Sequence, residues 1–328
     1  MLSNVWSVML LAYVPGASAD LQVVVDKLDR PCGVAVQPET GHVFVSESGT
    51  GRVLRVVEGR VEPAIVGLGV AAPDELPRLN VSPSGLAFVN RDTLAVGTGD
   101  RAAAEDELLF FSLPTAGSPA VESRTALARY LTTANDADQV GGNYWGAVGT
   151  TRALFATCHE SGTQGWLVRV ALQGGQPLGF DRFLALSPLA SASRPAAITI
   201  SPRGELVVGL MGEAERERDA RVVFLSINSR RLLLNLPAGL HDITGLTYGS
   251  DGQLYATDLA WHKPADGGLF QLVSVLMNGK QSIEPRRVAA LMRPTAVATT
   301  HEGVLYVTTL GDTDAAGSTG TLWKVTRR

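Results

Sequence analysis

Apolar residues along this chain come in short runs separated by Gly, Pro, Ser, Asp and Thr. Short apolar runs bounded by turn residues read as strands. One segment sets the template. Pro31-Cys32-Gly33-Val34-Ala35-Val36 is followed by a turn at Glu39-Thr40-Gly41 and then by Val43-Phe44-Val45. After a loop, Ser48-Gly49-Thr50-Gly51, come Arg52-Val53-Leu54-Arg55-Val56-Val57 and Pro63-Ala64-Ile65-Val66. This predicts four short strands joined by turns.

The pattern recurs five times. Pro83-Ser84-Gly85-Leu86-Ala87-Phe88 leads to Leu94-Ala95-Val96 and to Leu108-Leu109-Phe110-Phe111. Equivalent units start at Trp145-Gly146-Ala147-Val148, Pro195-Ala196-Ala197-Ile198, Thr244-Gly245-Leu246-Thr247 and Pro294-Thr295-Ala296-Val297. A small residue holds the same place in each: Gly33, Gly85, Gly146, Ala197, Gly245 and Ala296. Near-equal steps of about 50 residues with four strands per unit predict an all-β, six-bladed β-propeller. After Val325 only Thr326-Arg327-Arg328 remain, so the sixth unit lacks a fourth strand. Leu21-Gln22-Val23-Val24-Val25 is a strand without a unit of its own. Residues 20–29 are therefore expected to complete blade six and close the ring, which avoids exposed strand edges.

Residues 1–19 carry no charged side chain and hold an apolar stretch, Val5 to Val14, followed by Ala17-Ser18-Ala19. This reads as a signal peptide with an A-x-A cleavage site, leaving residues 20–328 as one exported domain, periplasmic or extracellular. The stretch is too short for a membrane span of about 20 residues. The two cysteines, Cys32 and Cys158, fall in blades one and three, so two free thiols are expected rather than a bridge.

Composition narrows the class. The chain is 45% hydrophobic and 18% charged, with 35 glycines and a net charge of −4. It is apolar enough to fold, which excludes disorder. It has no basic excess, which argues against a nucleic-acid binder.

The run from Pro31 to Val53, including Val43-Phe44-Val45-Ser46-Glu47-Ser48-Gly49-Thr50-Gly51-Arg52, resembles an NHL repeat. It is also similar to blades of the senescence-marker-protein/gluconolactonase group of propellers. That resemblance covers residues 21–328 as a blade pattern. It implies the fold more than an activity, because relatives include scaffolds, lactonases, a zinc-dependent lyase and quinone-dependent sugar dehydrogenases. It also implies a calcium or zinc site built from Glu, Asn and Asp just before the inner strands. The matching places here hold Cys32, Ser84, Trp145, Ala196, Thr244 and Thr295. None is a carboxylate, whereas a hard dication wants several oxygen ligands.

In a propeller, loops before the first strand and after the second strand of each blade share one face around the channel mouth. His42 and His301 lie in first-to-second turns and should point away from it. His159, His241, Asp242, Asp258 and His262 belong on that face and could ligate a divalent metal, calcium or zinc. Arg-Pro opens three blades, at Arg30, Arg194 and Arg293. Their guanidinium groups suit an anion-binding rim, or structural pairs with Glu47, Asp242 or Asp258. The run from Glu213 to Arg221 alternates in sign and reads as a solvated loop. Residues 112–144 read as an insertion or as a flap. Asn80-Val81-Ser82 is a glycosylation sequon in a suitable host.

Three functional readings stay open. One is a binding or scaffolding propeller whose contacts are Arg30, Tyr144, Trp145, Arg194, Asp242, Asp258 and Arg293, with a small molecule or a protein as partner and no fixed cofactor. It is expected to be a monomer. The other is a metal-dependent hydrolase or lyase using His159, His241, Asp242, Asp258 and His262. A quinone-dependent sugar dehydrogenase is a third option.

Overall fold

The structure, a computed structural model, describes residues 19–70, 82–99, 106–131, 142–159, 165–187, 194–213, 216–311 and 319–327. The apolar start of the chain, Asn80 and Val81 of the sequon, and residues 132–141 of the insertion lie outside the described residues.

Six antiparallel sheets form the ring. Blade one is Pro31–Val36, Val43–Glu47, Arg52–Val57 and Arg60–Val66. Blade two is Leu86–Phe88, Thr93–Gly97, Glu107–Ser112 and Ala128–Leu131. Blade three runs from Ala147–Gly149 through Ala153–His159 and Gly165–Gln173 to Gln176–Ala185. Blade four is Pro195–Ile200, Leu206–Leu210, Arg221–Ser226 and Arg231–Pro237. Blade five is Ile243–Tyr248, Leu254–Asp258, Gly268–Met277 and Lys280–Ala290. Blade six has only three strands from the C-terminal part of the chain: Pro294–Thr299, Leu305–Thr309 and Gly320–Arg327. Its fourth strand is Ala19–Leu28, paired from Ala19↔Arg327 to Leu28↔Gly320. The ring therefore closes between the two ends of the propeller sequence.

The strands read as almost continuous apolar runs because each sheet is covered on both faces by its neighbours. The core is accordingly split into six wedges, one per blade interface. Phe44 and Val53 of blade one pack with Leu94, Leu109 and Phe111 of blade two. Matching wedges fill the other five interfaces, the last joining Val45 and Leu54 of blade one to Leu322 of blade six. In blades one, three and five the third-to-fourth strand hairpins turn on residue pairs with left-handed backbone, as at Asn278 (φ 51°) and Gly279 (φ 74°). That geometry matches the strand twist and explains the Asn-Gly dipeptide there.

The insertion after Ser112 braces blade one. Val121–Glu122 adds a parallel fifth strand to its outer edge, and Gly117 donates its amide to Glu62. Its later part, Ala128–Leu131, is the outer strand of blade two. Among the described residues no helix is long and apolar enough to cross a membrane.

Candidate functional site at the channel mouth

The inner strands approach closely enough that small residues are compulsory. A Cβ on Gly85 would lie 2.5 Å from the Trp145 carbonyl, and one on Gly33 would lie 2.1 Å from the Ser84 carbonyl. The periodic glycines thus mark contact between successive inner strands rather than turns.

The same contacts are fastened by hydroxyls. Ser46 donates to the Ser84 carbonyl at 2.8 Å, joining blade one to blade two. Ser84 donates to the Tyr144 carbonyl at 2.8 Å and Thr157 to the Ala196 carbonyl at 3.2 Å. Thr244 donates to the Pro294 carbonyl at 3.0 Å and Thr295 to the Pro31 carbonyl at 2.8 Å. At the remaining interface, between blades four and five, the Gly212 amide donates to the His241 carbonyl at 2.9 Å. All five hydroxyl residues are buried, at 2% exposure or less.

This arrangement decides how three residues with oxygen at the metal-site positions are used. The hydroxyls of Ser84, Thr244 and Thr295 are engaged in holding the ring together. The other three positions carry Cys32, Trp145 and Ala196, which join an apolar cluster with Met211, Leu259 and Leu310, flanked by Trp261. Burial pushes the Cys32 thiol up to about 12. Both cysteines are buried, and no disulfide joins them.

Trp145 is the centre of this cluster. It starts from blade three, and its indole Nε1 donates to the Thr244 carbonyl of blade five at 3.1 Å. With Cys32 of blade one and Leu310 of blade six in the same cluster, the side chain reaches across the channel mouth. Beneath it the inner strands enclose about 60 Å³ lined by Gly33, Gly85, Gly146, Gly245 and their neighbours. That holds a few waters and is well below the several hundred Å³ of a ligand pocket.

Around the plug runs a collar with repeating backbone geometry. The amides of Met211, Leu259 and Leu310 donate to the carbonyls of Arg194, Asp242 and Arg293, at 2.9, 2.9 and 3.0 Å. Each collar residue is the first after a second strand, and the acceptors are two of the predicted rim arginines and the predicted contact Asp242. Sequence reasoning missed the collar. Its signal was an apolar residue at one register position in three consecutive blades, where a solvated loop would be polar.

The rim arginines do not pair with Glu47, Asp242 or Asp258. Arg30 lies 3.7 Å from Asp29. Arg293 lies 5.7 Å from the Trp261 ring and donates to the Gly311 carbonyl at 3.3 Å. Arg194 is exposed. Glu47 instead holds Arg52 and accepts the Asp29 amide at 2.8 Å. Tyr144 is withdrawn from the face, 1% exposed in the wedge between blades two and three.

Of the five candidate metal ligands, the structure brings together the blade-five subset but gives most of it other work. Asp258, 1% exposed, accepts the amides of Asp242 at 2.7 Å, His241 at 3.0 Å and Ala260 at 3.2 Å. It also sits 3.3 Å from His241 Nδ1. A carboxylate held by that many donors anchors the loop. Asp242 accepts the Trp261 amide at 3.0 Å. Burial pushes its carboxyl above the ordinary range, opposed by that amide and by His241 and His262, and reinforced by Asp258. His262 is exposed. His159 ends the second strand of blade three, its backbone bridged to Asn143. Among the described residues no three His, Cys, Asp or Glu side chains are arranged to hold a metal ion. The donor set therefore does not fit a calcium or zinc centre.

The described charged residues Glu213, Arg216, Glu217 and Arg218 of the blade-four run are exposed, as a solvated loop requires, and two of them reach blade five. Glu217 pairs with Lys263, and Arg218 lies 3.7 Å from Asp266, both on the loop after the second strand of blade five.

No family model matches the sequence, and no curated protein is significantly similar to it. Solved structures share the fold. A gluconolactonase from Xanthomonas campestris superposes with a TM-score of 0.63 at 12% identity, covering 97% of this chain and 93% of that one. The PQQ-bound aldose sugar dehydrogenase of Streptomyces coelicolor gives 0.60 at 15% identity, covering 95% and 99%. The WD40 propeller domain of Doa1 gives 0.52 at 9% identity, covering 96% and 98%. Identities this low establish the six-bladed propeller and leave the activity to be argued from the site.

Proposed function

We propose that this protein is an exported binding or scaffolding propeller that acts through its channel-mouth face. The observation that carries the reading is the composition of the mouth. Trp145 occupies its centre, and the oxygens at the places of a metal site are engaged in joining blades. The face presents exposed Arg194 and the partly exposed Arg30, Arg293 and Trp261, with the Arg293 guanidinium 5.7 Å from the Trp261 ring. Arginine and tryptophan over a rigid apolar floor are the residue types that dominate binding hot spots. Export is supported by the charge-free, apolar start of the chain.

A second reading, a lactone-directed hydrolase or lyase, draws on the gluconolactonase neighbours and on the raised carboxyl of Asp242. In that reading Asp242 would supply acid–base chemistry. One experiment separates the two: metal content of the purified chain by mass spectrometry, with a lactone-hydrolysis assay on the same sample. The binding reading expects neither stoichiometric metal nor turnover. A tightly bound metal lost in His241→Ala, or turnover lost in Asp242→Asn, overturns it.

A further inference from the structure

We infer that Arg30 and Arg293 form a receptor for a small carboxylate whose apolar body lies against Trp261. The inference rests on the binding reading above and names the ligand class for that face. Blades one and six are neighbours in the ring. Their arginines hold one register position, each just before the proline that opens an inner strand. Thr295, two residues after Arg293, donates to the carbonyl of Pro31, the residue after Arg30, at 2.8 Å. The two arginines therefore flank a single interblade hydrogen bond.

Both are held in a costly backbone shape. Arg30 has φ 51° and Arg293 φ 48°, a region that residues other than glycine seldom enter. The proline that follows each one restricts it further. Collar amides fix this shape, with Ser48 donating to the Arg30 carbonyl at 3.1 Å and Leu310 to the Arg293 carbonyl at 3.0 Å. Backbone strain of this kind persists only where its surroundings over-determine it, and it gathers at ligand clamps.

The guanidinium groups have little other work. Arg293 Nη1 donates to the Gly311 carbonyl at 3.3 Å, and its Nε is buried without a hydrogen-bond partner. Among the described residues no carboxylate forms an ion pair with it. Arg30 meets Asp29 at 3.7 Å, beyond hydrogen-bond length. The acids of the mouth are committed elsewhere: Glu47 to Arg52, Asp258 and Asp242 to backbone amides. Two permanently charged forks with donors to spare match a carboxylate. The Trp261 ring lies 5.7 Å from the Arg293 guanidinium and packs against the cluster of Trp145, Cys32 and Leu310. An anion held by the forks thus has an apolar surface beside it, which selects a carboxylate with an apolar body over a bare inorganic ion.

The test is titration of the full chain with hexanoate and with hexanamide, its uncharged counterpart, read by nitrogen-labelled indole NMR. Trp261→Phe assigns the Trp261 resonance. Hexanoate should shift that resonance saturably, and hexanamide should bind about tenfold more weakly, the loss expected when charge-assisted hydrogen bonds are removed. Arg30→Gln and Arg293→Gln should each weaken hexanoate by about the same factor. Arg91→Gln should leave it unchanged, because Arg91 lies in the first-to-second turn of blade two, on the opposite face. No shift with hexanoate, equal binding of acid and amide, binding that survives both arginine changes, or equal weakening by Arg91→Gln would each overturn the receptor. The comparison of acid and amide uses the wild-type chain, so it decides the matter even if an arginine variant folds poorly. Equal binding of the two would leave the binding reading standing, whereas that reading falls on metal or turnover in the assay above.

Discussion

Replacing Trp145 with alanine tests the plug directly. The side chain is 9% exposed and packs with Cys32, Ala196, Met211, Leu259 and Leu310, which come from blades one, four, five and six. Truncating a buried Trp to Ala costs about 3–5 kcal/mol. The lost Nε1 bond leaves the buried Thr244 carbonyl without that donor, worth about 1 kcal/mol within the total. Met211 is the flexible member of the collar and can fill part of the space. The expected loss is thus about 3–4 kcal/mol, or roughly 5–6 °C in Tm for a domain of this size. Urea unfolding measures it, with the m-value unchanged if the native ring persists. Trp145→Phe keeps most of the apolar volume and removes the indole donor, so it should cost about 1–2 kcal/mol. Free indole should restore part of the stability of Trp145→Ala, by binding the native state only. A loss below about 1 kcal/mol would refute the reasoning, because it would mean that the indole does not hold opposite sides of the ring together.

Removing residues 19–28 should cost more than about 4 kcal/mol and promote aggregation, since Gly320–Arg327 would become an open edge; an unchanged Tm would contradict closure by this strand. Thr295→Val keeps the shape but leaves the Pro31 carbonyl without its donor, so urea unfolding should show a loss of about 1–3 kcal/mol; the same change at exposed Thr40 should be near neutral. Asp242→Asn should raise Tm at neutral pH, because burial holds the folded carboxyl above its ordinary range. A raised value favours folding at acid pH and loses that advantage as pH rises through it, so the gain from Asn should shrink toward about pH 4. A gain independent of pH would remove burial as the cause.

The blade pattern was fully legible because a propeller imposes one constraint six times. Every inner strand must pass its neighbour at backbone distance, which forces Gly33, Gly85, Gly146 and Gly245 into register. The missing strand of blade six was legible for the same reason, since a ring of four-stranded sheets leaves only one place for Val23 and its neighbours. The site was legible in position but not in role. Sequence placed Asp258 on the working face, but its partners are backbone amides of residues 17, 16 and 2 positions away, and no side-chain pattern encodes those. Tyr144 and Trp145 are adjacent and were assigned together. Both precede the inner strand Ala147–Gly149, and one fills an interblade wedge while the other joins the cluster at the channel mouth.

The hydroxyl ring gives that distinction a general form. A Ser or Thr just before an inner strand offers the same oxygen whether it faces the channel or the next blade. What decides is the nearest unpartnered acceptor. A bulge at the start of several inner strands, as between Pro195 and Ala197 or Ile243 and Gly245, interrupts pairing with the second strand. It frees a carbonyl of the following blade within hydroxyl reach. A buried carbonyl without a donor costs about 1–3 kcal/mol, more than a neutral hydroxyl gains by facing water. Ser84, Thr244 and Thr295 therefore turn toward the ring. A carboxylate in those places would be repelled by the same carbonyls and would point into the channel, where a cation could meet it. The absence of carboxylates at six positions and the presence of Trp145 at the channel mouth are thus one structural decision: the energy of the channel mouth is invested in closing the ring, and recognition is left to the loops around it.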